Sequence, residues 1–284
     1  MNDILQAFIT LKKSTSFRVR NGSSGNIIQL VGSGLEDYVK DLFSGIHDPA
    51  VAARERLRKR SSAFSYLGTS NQPPDGILRG GDAIEVKKVD SLRGRIQLNS
   101  SPPKVKLLSA DTRINSTCRE IAIREGWEEK DIFYVVGSQA GNRLARLWFV
   151  YGDCYAASHQ IYESVYQRVK NSIANDFDGV KLADTNEIAG IPKIDPLDIT
   201  SLRVRGMWLI KNPSVVFEDY IESSQAEFKA YSIMRASKYG SFDSTSKRRF
   251  EEALDDTLGV TDIEIPDPDN PANIINAKLI KYEI

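Results

Sequence analysis

The first sixty residues alternate between amphipathic helical segments and polar loops. Apolar side chains recur at helical spacing from residue 3 to residue 11 and predict a first helix there. A second helix is predicted to begin at Ser33, whose hydroxyl would cap it, with Glu36 three residues later completing a capping box. Residues 50–60 predict a short and strongly basic third helix.

Short apolar segments in the middle of the chain predict a β-sheet. The predicted strands are residues 65–67, 77–78, 83–88, 132–137 and 144–151. The turn sequence Gly80-Gly81-Asp82 joins the second of these strands to the third as a tight hairpin. Residues 92–108 are predicted to be irregular, and residues 113–125 helical.

The second half of the chain predicts one long helix followed by shorter elements. Residues 158–175 give the clearest helical pattern, with an apolar side chain at every fourth position. The shorter elements are strands over residues 203–210, 215–217 and 277–282, and helices over residues 227–239 and 245–258. The simplest interpretation is one α/β domain over residues 1–284 with a mixed sheet, comprising a core of about 30–175 and a C-terminal elaboration of about 176–284.

Composition limits the chemistry that we expect. Two cysteines and two histidines in 284 residues are too few for a disulfide framework or for the usual zinc clusters. Carboxylates, lysines and a hard metal ion therefore remain as the expected chemistry. No apolar run reaches the ~18 residues of a membrane-spanning helix. The N-terminus also lacks the positive region of a secretory signal, so we expect a cytoplasmic protein that does not contact a membrane.

The charges are unevenly distributed although the formal net charge is zero. Basic residues cluster in four stretches, at residues 54–60, 87–95, 104–106 and 247–249. Acidic residues concentrate between residues 251 and 269. One basic and one acidic face would suit a protein that binds nucleic acid, although each cluster alone is also typical of a solvated helix face.

The segment that indicates chemistry combines Pro74-Asp75 with the later strand that contains Glu85 and Lys87. Side chains alternate between the two faces of a strand, so Glu85 and Lys87 point to the same side. Ile84 and Val86 point to the other side and can enter a core. Asp75, on the preceding hairpin arm, can then lie across from the carboxylate and the ammonium.

Two neighbouring carboxylates repel each other and favour a divalent cation. Mg²⁺ suits such a site because it accepts oxygen ligands and retains waters. We expect Asp75, Glu85 and the carbonyl of Val86 to bind it, and Lys87 to orient the attacking water or hold a phosphate. The expected reaction is hydrolysis of a phosphodiester bond by in-line attack of water.

The motif also has a purely structural interpretation, in which Glu85 and Lys87 form only a salt bridge on an exposed strand. Glu128-x-Lys130 and Glu227-x-Lys229 have the same spacing but lie in a charged or helix-like context. Three features favour the catalytic interpretation: the short interval after Pro74-Asp75, the apolar strand, and Glu36 on an upstream helix as a fourth candidate catalytic carboxylate.

The pattern of Pro74-Asp75 and Glu85-x-Lys87 resembles the PD-(D/E)xK nuclease superfamily. Over about residues 30–220 the chain more narrowly resembles NgoPII-type type II restriction endonucleases. The segments that carry this likeness are Leu35–Phe43, Ile84–Lys88 and Leu98–Lys104. The resemblance implies a restriction-endonuclease-like fold, with a mixed central sheet flanked by helices, and Mg²⁺-dependent cleavage of duplex DNA. It further implies a homodimer that cuts a short palindrome, with GGCC associated with that family, and a cognate DNA methyltransferase as a functional partner.

Candidate DNA contacts follow from the side chains that can bind base edges or phosphates. They are Asn99, Ser100, Ser101, Lys104, Lys106, Arg113, Asn142, Arg143, Arg203 and Arg205. The basic stretch 54–60 is a better candidate for contacts with the DNA backbone. Two alternatives remain: a repair or recombination nuclease of the same superfamily, and a non-catalytic DNA-binding protein in which these charges form only surface ion pairs.

Overall fold

The computed structural model describes residues 2–14, 27–69, 72–140, 143–176, 188–192, 194–197 and 199–284. The helices in these ranges are α1 (Ile4–Lys13), α2 (Ile27–Phe43), α3 (Ala53–Ala63), α4 (Ser116–Glu125), α5 (His159–Asp176), α6 (Pro213–Val216), α7 (Ala236–Ser241) and α8 (Ser244–Glu251). The strands are β1 (Phe64–Tyr66), β2 (Gly76–Leu78), β3 (Ala83–Val89), β4 (Ile96–Asn99), β5 (Lys106–Leu108), β6 (Glu129–Ala140), β7 (Arg143–Tyr151), β8 (Ala189–Ile191), β9 (Leu202–Val204), β10 (Trp208–Ile210), β11 (Lys229–Arg235), β12 (Leu258–Pro266) and β13 (Ile274–Glu283).

Nine of these strands form one mixed sheet. Eight follow the spatial order β1-β2-β3-β6-β7-β11-β13-β12, and β5 pairs with β6. β3 is parallel to β6 and β7 is parallel to β11, whereas the other neighbours are antiparallel. The predicted α/β fold with a mixed central sheet flanked by helices is confirmed. Strands from both sides of residue 176 share this sheet, and the division into a core and an elaboration stays a prediction.

Both faces of the sheet are covered by apolar side chains. On one face, α1 and α2 pack onto the central strands, where Phe8, Phe43, Phe133 and Phe149 have ring centroids 5.5–6.5 Å apart. On the other face, a second cluster surrounds the fully buried Trp148. The central strands are therefore apolar on both sides. The charged pair Glu85 and Lys87 on β3 is an exception to this pattern.

A buried ion pair attaches α7 to the β2–β3 hairpin, and we call it the Lys238 tie. Lys238 Nζ lies 2.6 Å from Asp82 Oδ1 in the hairpin turn and 2.7 Å from Asp131 Oδ2 at the start of β6. The hydroxyl of Tyr151 donates to the other oxygen of Asp82 at 2.7 Å. Lys238, which lies more than 150 residues after the hairpin turn in sequence, thus fixes the hairpin that carries the catalytic motif.

The predicted start of the second helix is wrong. α2 begins at Ile27, so Ser33 lies inside the helix and not at its N-cap position. The apolar residues upstream of Ser33 extend the helical pattern, and the helix passes through Gly32 and Gly34. The longer amphipathic pattern therefore determines where the helix begins, and the two glycines do not interrupt it.

The helix predicted over residues 227–239 is also wrong. Residues 229–235 form β11, which pairs with β7 on one side and with β13 on the other, and only Ala236–Ser241 is helical. A strand buried on both faces has no alternating pattern, so its apolar run cannot be distinguished from a buried helix by periodicity.

Some short elements also differ from the prediction. Residues 92–108 contain β4 and β5, and the predicted strand 203–210 is divided into β9 and β10. Residues 215–217 overlap the end of the short helix α6. β4 pairs with β10, more than one hundred residues away. Strands of three or four residues give almost no periodic signal, because long-range pairing stabilises them.

The long helix predicted over residues 158–175 is confirmed as α5. Its apolar stripe is largely exposed: Ile161, Val165 and Val169 are 43%, 48% and 41% exposed. No residue of α5 is buried. Neither α5 nor any other helix in the described ranges has the length and apolar content needed to cross a membrane.

Candidate active site

The β2–β3 hairpin brings Asp75 next to β3. The main-chain N–H of Asp75 donates to the carbonyl of Ile84 at 2.9 Å. Its carboxylate oxygen Oδ2 accepts from the N–H of Val86 at 2.6 Å. Asp75 is therefore held by the residues on either side of Glu85.

Glu85 and Lys87 lie on one face of β3, as the alternation predicted. Lys87 Nζ donates to Glu85 Oε1 at 2.6 Å. Ile84 and Val86 point to the opposite face and belong to the core beneath α1 and α2. The sheet thus brings Asp75, Glu85 and Lys87 together at one wall of a cavity.

Asp75 is half-buried, and the desolvation of its carboxylate makes its negative charge unfavourable. Burial raises the pKa of Asp75 to about 8, and the neighbouring carboxylates of Glu85 and Glu36 contribute to the increase. The ammonium of Lys87 and the N–H of Val86 oppose it. With Asp75, Glu85 and Glu36 all ionised, the site would carry more negative charge than Lys87 and the Val86 N–H can stabilise.

The neighbouring carboxylates stabilise the charged form of Lys87, whereas they destabilise the charged form of Asp75. Burial alone would lower the pKa of Lys87, but Glu85 and Asp75 outweigh burial and raise it. Lys87 consequently carries its charge at neutral pH.

Glu36 reaches the neighbourhood of the site from α2. Its charge acts on both Asp75 and Lys87, and its own ion-pair partner is Lys40, at 3.5 Å. α2 lies close to the sheet because β6 has a glycine below it: a Cβ atom at Gly137 would lie 2.6 Å from the nearest atom of Leu35. Glu36 is thus an outer carboxylate, half-exposed at the edge of the site.

The catalytic cavity is lined by Asp75, Glu85 and Lys87 and by a neighbouring loop, and it has a volume of about 160 Å³. Asn99, Ser100, Ser101 and Arg113 line it together with the acidic residues. Asn99 has a φ of 55°, in the left-handed region that asparagine tolerates better than most residues.

The loop from Asn99 to Lys104 is fixed to the sheet by Tyr134. The N–H of Lys104 donates to the Tyr134 hydroxyl at 2.7 Å, and the Lys104 ammonium binds Asp111. Tyr134 is paired in register with Glu85 on the neighbouring strand. It connects the loop to the strand that carries the carboxylate.

The main chain of Asp75 is in close contact with a glycine in the segment that follows β1. Gly68 has a φ of +77°, and a Cβ atom there would lie 2.4 Å from the carbonyl oxygen of Asp75. The chain after β1 can therefore pass directly against the main chain of Asp75 only because residue 68 has no side chain.

The donor atoms at this site suit a hard divalent cation. Glu85 Oε2 is buried and has no hydrogen-bond partner, whereas Oε1 is occupied by Lys87. No three His, Cys, Asp or Glu side chains converge as a metal-binding group anywhere in the described ranges. Asp75 and Glu85 therefore need a further oxygen, such as the Val86 carbonyl, and a site of one or two carboxylates completed by waters is typical of Mg²⁺.

The other predicted DNA contacts are not all at this cavity. Lys104 and Lys106 line a larger neighbouring cavity, where each is paired with a carboxylate. Arg203 lies in β9 and Arg205 directly after it, and neither lines these two cavities. Asn142 and the side chain of Arg143 lie outside the described residues.

The basic helix α3 is largely occupied by ion pairs. Arg60 binds Asp37 and Asp41, and Arg56 also binds Asp41. These contacts attach α3 to α2, so part of its positive charge has a structural role.

Thr69, Gln72 and Pro73 line the catalytic cavity and were missed by sequence reasoning. Their position in sequence, directly before or close to Pro74-Asp75, could have indicated that they lie near the site. Tyr134 gave no such indication, because its role depends on the register between β3 and β6.

Comparison with known proteins agrees with this geometry. The model of the NgoPII restriction endonuclease family matches residues 2–266. The type II restriction enzyme NgoPII of Neisseria gonorrhoeae is 40% identical over 285 residues, which cover 99% of this chain and 100% of that protein. No solved structure matches the chain significantly. The predicted resemblance and the predicted restriction endonuclease activity are confirmed, and the chain belongs to the NgoPII restriction endonuclease family.

Proposed function

We propose that this restriction endonuclease hydrolyses duplex DNA at GGCC with Mg²⁺ held by Asp75, Glu85 and the Val86 carbonyl. Its family acts on double-stranded DNA and uses a divalent metal. The observation that supports this site most directly is the buried oxygen Glu85 Oε2, which lacks a hydrogen-bond partner beside the desolvated carboxylate of Asp75.

When bound, the cation would stabilise charge on the phosphate and favour ionisation of a nearby water. Asp75 would have to be deprotonated to contribute its charge, and Lys87 would favour that state. The Lys87 ammonium, now on Glu85 Oε1, would orient the attacking water or hold the scissile phosphate. Glu36 would add negative charge from the edge of the site.

A palindromic site offers the same sequence on both strands, so we propose a homodimer in which each protomer cuts one strand. A cognate methyltransferase would protect the host site, as a functional partner that need not bind this chain. The enzyme would act in the cytoplasm on incoming DNA. Asn99, Ser100, Ser101 and Arg113 are the predicted DNA contacts that line the catalytic cavity.

A non-catalytic DNA-binding protein fits these observations poorly. Surface ion pairs would not require Asp75 to be buried against Glu85, because burial of two like charges is unfavourable. Nothing in the site favours a repair nuclease over the restriction enzyme that the family indicates.

Digestion of an unmethylated plasmid with Mg²⁺ tests the proposal. Wild-type protein should give discrete bands, and mapped ends should lie at GGCC. Asp75→Ala and Lys87→Ala should abolish cutting while DNA binding survives. Lys88→Ala is the matched control, because Lys88 is paired with the exposed Asp90 rather than with the site.

A smear of products, or no cutting by the wild type, would exclude site-specific cleavage. Full activity of Asp75→Ala would exclude the assignment of the metal site. Ends that map to a different sequence would contradict GGCC alone.

A further inference from the structure

A second and larger cavity adjoins the catalytic cavity. It has a volume of about 550 Å³ and lies between residues 102–113 and one face of α5. Ligand sites typically have ~300–1,000 Å³, so the volume is sufficient for part of a DNA strand. Nothing in the proposed mechanism uses this space.

The two cavities meet at Arg113, which lines both of them. A small third cavity adjoins both of them, since Pro102 and Lys104 line it together with Glu85. These three neighbouring spaces share lining residues, and we call them together the track.

Most cations along this track already have a carboxylate partner. Lys87 binds Glu85, Lys104 binds Asp111, and Lys106 lies 2.5 Å from Asp131. Among the described residues the guanidinium of Arg113 makes no direct hydrogen bond or ion pair, although its charge acts on Asp111 and Tyr166.

The backbone of Arg113 is nevertheless fixed. Its N–H donates to Asp111 Oδ1 at 2.9 Å, and Asp111 is held in turn by Lys104. Arg113 is half-buried, so its position is defined while its charged group remains available. A guanidinium in this setting is well suited to bind a phosphate through two parallel hydrogen bonds.

We propose that Arg113 binds a backbone phosphate of the DNA strand that leads from the catalytic cavity into the larger cavity. The contact places the strand beside Asp75 and Glu85 and carries no base preference. This inference rests on the proposed function, because it takes duplex DNA as the ligand and the carboxylate site as the point of cleavage.

The salt dependence of binding is the first test. Binding is measured in the Asp75→Asn background, so that the duplex is not cut, on a duplex carrying the site mapped in the digest. Arg113→Ala should weaken binding about tenfold at low salt and reduce the slope of log K against log [salt] by about 1, similarly for specific and nonspecific duplexes. Arg124→Ala removes an exposed arginine of α4 that lies outside the basic clusters and does not line either cavity, and it should leave the slope unchanged.

Neutral methylphosphonates placed one at a time along the strand identify the contacted phosphate. At one position beside the cleavage point, the substitution should weaken binding of the protein with Arg113 but not of Arg113→Ala. Arg113→Lys retains the charge and should restore the salt slope, which provides a readout if Arg113→Ala does not fold.

An unchanged slope and affinity in Arg113→Ala would overturn the proposal. A loss confined to one base sequence would also overturn it, because that result would indicate base reading. Failure of the proposed function is visible separately, since the wild-type plasmid digest does not depend on any Arg113 variant.

Discussion

Asp75→Asn should stabilise the metal-free protein at alkaline pH while abolishing cleavage. The asparagine side chain retains an oxygen that can accept from the N–H of Val86, so the substitution removes the charge and keeps this contact. The buried charge of Asp75 is unfavourable next to Glu85, and neutralising it should therefore help the fold.

The magnitude follows from the pKa of Asp75, which burial raises to about 8 from an ordinary value of 3.8. The folded state retains a proton that the unfolded state releases, so stability falls as pH rises between these two values. The full difference corresponds to at most about 6 kcal/mol, at ~1.4 kcal/mol for each tenfold change in the dissociation constant. Between pH 5.5 and pH 9 the loss should be about 3 kcal/mol, a large part of the ~5–15 kcal/mol that stabilises a typical domain.

Urea unfolding in EDTA at pH 5.5, 7 and 9 measures this difference. The wild type should lose about 3 kcal/mol more than Asp75→Asn across the series. Excess Mg²⁺ at pH 9 should raise the stability of the wild type and leave the variant nearly unchanged. Parallel pH curves for the two proteins would refute the reasoning, because they would show that Asp75 is charged in the folded state without penalty.

Three further substitutions test the support of the site. Tyr134→Phe should destabilise the protein by ~1–3 kcal/mol in urea unfolding and raise KM more than it lowers kcat, because the Lys104 N–H loses its partner and the loop loosens; equal KM values would argue against a positioning role. Gly68→Ala should abolish cleavage, whereas Gly80→Ala, also at positive φ but in open space, should be destabilised by only ~1–2 kcal/mol and remain active. Glu36→Gln should weaken Mg²⁺ binding several-fold in a calorimetric titration, and unchanged affinity would remove Glu36 from the site.

The catalytic strand could be predicted because its signal is local. Glu85 and Lys87 are two residues apart, and the alternation of a strand places them on one face whatever surrounds it. The hairpin turn at Gly80-Gly81-Asp82 fixed the approximate position of Asp75 in the same way. Short-range geometry was sufficient for the centre of the site.

The surroundings of the site could not be predicted because they depend on distant residues. Tyr134 meets Glu85 only through the register of two strands that lie nearly fifty residues apart in sequence. β11 was interpreted as a helix, since a strand buried on both faces loses its alternating pattern. The Lys238 tie likewise joins positions more than one hundred residues apart.

The Lys238 tie has a consequence for the order in which the enzyme is assembled during translation. A nascent chain that ends before residue 229 lacks β11, so β7 is left as an unpaired sheet edge. Asp82 then retains the Tyr151 hydroxyl and Asp131 retains Lys106, but both lack the ammonium of Lys238, so the hairpin turn is held less firmly. The fastening of the catalytic hairpin therefore waits until most of the polypeptide has left the ribosome, and a partly synthesised nuclease lacks a firmly held cutting site.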